Sequence, residues 1–143
     1  MLNGRIRFHR CTAPAVGLLF ILAGCGSTPQ YVLGSDIPAP SGVSGKATTG
    51  IERRDGILVG LETVFSDKVN DPSITADRLV REFARTGWSV ERRGATPSTA
   101  TVVFRKSDRR CRVHIVRNEV DPSMGRIGYV LDLIPAKTAA VDE

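Results

Sequence analysis

One helix is written into this chain more plainly than any other element. Asp71 stands at an N-cap position, Pro72 at the first helical position, and Gly87 supplies a C-terminal stop. Between them Ala76, Leu79, Val80, Phe83 and Ala84 form one apolar stripe, while Asp77, Arg78, Arg81, Glu82 and Arg85 take the remaining positions. Such a stripe needs a sheet to cover. Trp88, directly after the stop, closes one end of that interface; the competing role for a lone Trp is a ligand platform.

The strands around the helix follow from alternation and turn chemistry. Residues 47–53 and 57–65 flank Asp55-Gly56, the dipeptide that best tolerates two positive φ angles in a tight hairpin. Ile57, Val59, Leu61, Thr63 and Phe65 share one face by period two, and that face is expected to look at the core. Four more strands are predicted at 88–93, 99–106, 111–117 and 126–134, separated by segments rich in turn residues. Short separators make antiparallel neighbours. The fold class is therefore α+β: a hairpin, a helix, then a four-stranded meander, with one helix packed on a curved antiparallel β-sheet. By element order this resembles cystatin-like or NTF2-like folds, an analogy that carries no function with it.

The N-terminus has a different character. Arg5, Arg7 and Arg10 precede an apolar run of about 10 residues, half of the roughly 20 that a membrane-spanning helix requires, so it reads as an export signal. The run ends in Leu22-Ala23-Gly24-Cys25, ahead of Gly26-Ser27-Thr28-Pro29. These residues resemble the lipobox of bacterial lipoproteins. The resemblance covers the first 25 residues and implies cleavage before Cys25, a diacylglycerol on its sulfur, and usually a further acyl chain such as palmitate on its amino group. A thiolate is the side-chain nucleophile suited to that transfer. The same resemblance implies passage to the outer membrane, because Gly26 stands where lipoproteins kept at the inner membrane often carry Asp. The competing reading is an ordinary cleaved signal that leaves Cys25 free.

Cleavage would leave 119 residues, enough for one domain. Losing Arg5, Arg7 and Arg10 leaves 17 basic against 15 acidic residues, so the net charge of +5 falls to +2 and a nucleic-acid partner loses its main support. Cys11 leaves with the signal and Cys25 takes lipid, so Cys111 remains as a thiol without a disulfide partner. The expected division is a signal peptide at 1–24, a lipidated cysteine and flexible Gly/Ser/Pro-rich tether at 25–45, a globular domain at 46–135 and a disordered tail at 136–143. A free tether of that length would hold the domain roughly 25 Å from the lipid. Ile37-Pro38-Ala39-Pro40 is the one stretch of it suited to lying extended on the domain edge.

Few residues invite chemistry. Cys111 and His114 are three apart in one strand and so face opposite ways, which excludes a Cys/His dyad; one thiol and one imidazole build no zinc site. Cys111 falls on the apolar parity, and His114 on the solvent parity. There is no G-x-S-x-G, P-loop or G-x-G-x-x-G, and the two Asp-Pro-Ser tripeptides read as turn chemistry. Asp132, Glu62 and Glu91 lie on different strands whose register the sequence leaves open. No cofactor or metal is implied.

One surface feature stands out: Arg105, Lys106, Arg109, Arg110 and Arg112 around the turn between the predicted strands 99–106 and 111–117, with Arg92 and Arg93 nearby. They suit an anionic surface such as acidic headgroups, or equally a solvated hairpin tip that discourages edge pairing. The sequence thus points to a lipid-anchored cell-envelope protein whose domain is a non-enzymatic binding or structural module, with the membrane and an envelope protein or anionic surface as partners. The alternative is an envelope enzyme with carboxylate-based chemistry in a pocket between helix and sheet.

Overall fold

The computed structural model describes residues 30–43 and 45–135. Cys25, the apolar run before it and the tail at 136–143 lie outside them. Six strands form one antiparallel sheet: β1 (Gly45–Arg54), β2 (Ile57–Asp67), β3 (Ser89–Ala95), β4 (Thr99–Lys106), β5 (Arg109–Val116) and β6 (Gly125–Leu133), in the order β1-β2-β6-β5-β4-β3. The helix α1 (Pro72–Arg85) packs on one face, an α+β arrangement.

Local signals act where the residues place them. The Asp71 carboxylate accepts the backbone N–H groups of Ser73 and Ile74, satisfying two of the four orphan donors of the first turn, and Gly87 takes φ +83° just past the last turn. Asp55 and Gly56 both have positive φ, as a two-residue hairpin turn requires. Ala76, Leu79 and Phe83 are buried, whereas Ala84, expected on the stripe, is exposed. The β2 face needs a correction at its start. Ile57 is exposed while the consecutive Leu58 and Val59 are both buried, because the pairing slips there: Glu52 faces Gly60 and Arg53 faces Leu58, leaving Val59 as an extra residue. Such a bulge turns neighbouring side chains to one side. A second shift adds Gly50-Ile51 on β1, and Glu91 is the extra residue on β3 between Val90 and Arg92.

Six strands at about 4.8 Å spacing make a sheet roughly 24 Å wide, and one helix is about 10 Å across. α1 lies over β3, β4 and β5. Leu58, Leu61 and Phe65 of β2 and Ile127, Tyr129 and Leu131 of β6 are nevertheless buried. Residues 30–43 contribute to their cover, so this described part of the stretch expected to be a flexible tether is packed on the sheet. Tyr31 bridges Pro38, Val32 N–H donates to Ile37 O, and Ala39 N–H donates to Gln30 O, folding this segment into a narrow loop. Val32 and Ile37 are fully buried in the same cluster as Phe83, Trp88 and Tyr129, with Ala39 and Val43 against it. The core is a three-part closure of sheet, helix and strap.

Candidate functional site

The densest polar arrangement sits where the strap crosses the end of the sheet. Asp36 is the one charged residue between Gly26 and Gly45, and both of its oxygens are engaged. Arg109 donates from Nη1 to Oδ1 at 2.9 Å and from Nη2 to Oδ2 at 2.8 Å, while Lys106 Nζ donates to Oδ2 at 2.6 Å and to Thr86 O at 2.6 Å. Such a forked Arg–carboxylate pair fixes orientation as well as charge. Trp88 completes the clasp: its indole Nε1–H donates to Asp36 O at 3.3 Å, and the Arg109 guanidinium lies 5.0 Å from its ring centroid. The core role expected for Trp88 is the observed one, and it adds a hydrogen bond to the strap.

Arg109 enters the clasp because the β4–β5 turn is tighter than expected. Lys106 pairs with Arg109, so only Ser107 and Asp108 make the turn, with Ser107 at φ +55°. Arg109 thereby joins Cys111, Val113 and Ile115 on the core face and is 7% exposed. Burial alone would raise the Asp36 carboxyl, but hydrogen bonds from Arg109 and Lys106 and their charges outweigh it and hold it at about 2, below its ordinary 3.8. A carboxyl depressed on folding stabilises above its unfolded value and loses that contribution as pH falls toward the folded one. Stability is therefore expected to fall by about 1–2 kcal/mol between roughly pH 4 and 2, allowing for solvent screening of a carboxylate that is 29% exposed. Urea midpoints measured across that range for the native chain and Asp36→Asn check it: the variant should lack this part of the acid sensitivity.

The cationic hairpin is accordingly not a field of free charge. Lys106 and Arg109 turn to Asp36, Arg110 Nε lies 3.1 Å from Glu91, and Arg112 Nη2 lies 2.8 Å from Asp132. Arg105 is exposed and donates to Ser107 O. Arg93 pairs with Asp77 of the helix.

The other expected positions divide as their parity requires. Cys111 is buried and its thiol is pushed up by burial, whereas His114 is exposed on the opposite face with Nδ1 3.0 Å from the Thr101 hydroxyl. No group of three metal-ligating side chains occurs among the described residues. Asp67 is buried, pairs with Arg78 at 3.0 Å and accepts Lys68 N–H. Near it, one Glu82 oxygen and the Tyr129 hydroxyl are buried without a hydrogen-bond partner, and burial raises both groups above their ordinary values. Open clefts are formed among the described residues. One, of about 330 Å³, is lined by Lys68, Asn70, Asp71, Ile74, Thr75, Arg78 and Arg81; another, of about 270 Å³, lies beside the clasp between Ser35, Asp36, Arg53, Ile57 and Arg109. Each is lined by a single carboxylate already committed, Asp71 to its cap and Asp36 to its cations.

No protein-family model matches this chain. Searches of curated proteins and of solved structures returned no match either. Its function must therefore be read from its own residues.

Proposed function

We propose that the chain is a lipid-anchored protein of the cell envelope, held at a membrane through Cys25, whose domain is a binding or structural module. Leu22-Ala23-Gly24-Cys25 at the end of a short apolar run carries this reading. Two or three acyl chains hold a domain on a bilayer where one holds it marginally. The alternative is an envelope enzyme with carboxylate-based chemistry in a pocket between helix and sheet. Gln30 already belongs to the strap, and the four residues between it and Cys25 make five Cα-to-Cα steps, a reach of at most about 18 Å. The domain would sit closer to the lipid than a free 20-residue tether allows.

The test is Cys25→Ser. The native chain should carry acyl groups by intact mass and sediment with membranes after a high-salt wash. The variant should be released, with stability unchanged within about 0.5 kcal/mol, since clasp and core are untouched. Retention of the variant in the washed membrane would sink the proposal. Gly26 further favours the outer membrane where the cell has one, which density-gradient fractionation decides.

A further inference from the structure

The three most exposed large apolar side chains among the described residues are Val120, Ile74 and Met124, at 95%, 67% and 61%. All three lie at one end of the domain, opposite the clasp. Ile74 is in the first turn of α1, and Val120 and Met124 are in the β5–β6 loop, which is joined to the segment before the helix by Val69 N–H donating to Pro122 O. We infer that this end rests on the headgroup layer of an anionic phospholipid bilayer. The inference builds on the lipid-anchor proposal and names the face the anchor presents.

The course of the strap supplies the first argument. Its tip is at the far end, where Arg53 holds Leu33 O and Asp36 holds Arg109. The arm leaving the tip leads to Gly45, which faces Ser66 near the start of the helix. The incoming arm runs antiparallel to it, with Gln30 beside Ala39, so at Gln30 the chain is directed from the Ile74 end. A Cys25 within about 18 Å of Gln30 has that side within its reach.

Charge supplies the second. Lys68 and Arg81 line the same cleft as Ile74, and among the described residues neither is held in an ion pair; Arg126 is exposed at the start of β6. The acids here are Asp67, held by Arg78, and Asp71, Glu119 and Asp121. Asp71 and Asp121 each accept backbone N–H groups, which offset part of their charge. Apolar side chains projecting beside unpaired cations suit the boundary between headgroup and acyl chain, and the cations suit acidic lipid. At the opposite end Lys106, Arg109, Arg110 and Arg112 are spent on Asp36, Glu91 and Asp132, while Arg53 and Arg105 donate to backbone carbonyls.

The test uses the full lipidated chain, purified from membrane and reconstituted in vesicles of phosphatidylcholine and phosphatidylglycerol. Val120→Cys and, at the opposite turn, Asp108→Cys each receive an environment-sensitive dye; the native Cys111 is buried and does not compete. Dye at 120 should shift to the blue and be several-fold less accessible to aqueous iodide than dye at 108. Adding Ile74→Ser and Met124→Ser should erase the difference. Equal accessibility at the two sites, or shielding at 108, overturns the inference. So does shielding at 120 in native membranes that disappears in pure lipid vesicles, which would assign the face to a protein partner. Failure of the anchor is separately visible: the intact mass would then show Cys25 unmodified and the chain would not enter the vesicles, and the inference would fall with it.

Discussion

A chain shortened to begin at Gly45 is expected to lose most or all of its cooperative unfolding transition, whereas one that begins at Gly26 keeps it. Val32 and Ile37 are fully buried, and such side chains contribute about 1.5–3 kcal/mol each. Without Asp36 the guanidinium of Arg109 stays on the core face unpaired, at a cost of about 3–5 kcal/mol. Together these losses are about 6–11 kcal/mol, against about 5–15 kcal/mol for the whole stability of an ordinary domain. Urea unfolding followed by far-UV circular dichroism and by Trp88 fluorescence measures both chains. Midpoints equivalent to within about 0.5 kcal/mol would show the strap to be dispensable.

Phe83→Ala should lower stability by about 3–5 kcal/mol. The ring stacks on Phe104 at 3.9 Å, and it meets Trp88 and Tyr129 edge-on at 5.9 and 5.7 Å. Removing it opens a cavity at the point where helix and sheet meet. It also removes a support of Trp88, whose indole holds Asp36 O, so protease cleavage between Tyr31 and Pro40 should quicken along with the fall in Tm. A loss under about 1 kcal/mol would mean that the neighbouring rings close the space.

The parts of this fold legible in the sequence are those written in neighbouring residues. Asp71, Pro72 and Gly87 bound the helix by capping and backbone conformation, and Asp55-Gly56 sets its hairpin, because each acts within a turn of where it stands. The antiparallel runs β3-β4, β4-β5 and β5-β6 follow from short connections. The pairing of β2 with β6 does not, since nothing local to Leu61 names Leu131 as its partner. The strap was hidden by its own composition. Gly, Ser and Pro dominate it, yet Val32, Ile37 and the lone acid Asp36 were the signal, and the partners of Asp36, Trp88 and Arg109, lie more than 50 residues onward. The same distance concealed why the β4–β5 cations are not free. A turn two residues long rather than four places Arg109 on the core parity, and the carboxylate that accepts it comes from the far end of the chain.

Under the proposed lipid anchor, the interruptions of pairing in β1 and β3 acquire a further meaning, since the molecules would be tethered in a plane. Those two strands are the open edges of the sheet, and anchored neighbours confined to a surface meet at a far higher effective concentration than molecules free in solution. A straight bare edge would then template strand after strand between copies. Here one edge carries the Gly50-Ile51 irregularity and Lys46, and the other carries the extra Glu91 beside Arg92, so the hydrogen-bonding row is broken and charged on both sides. Crowding on a membrane would leave such molecules side by side as separate units rather than joined into a ribbon.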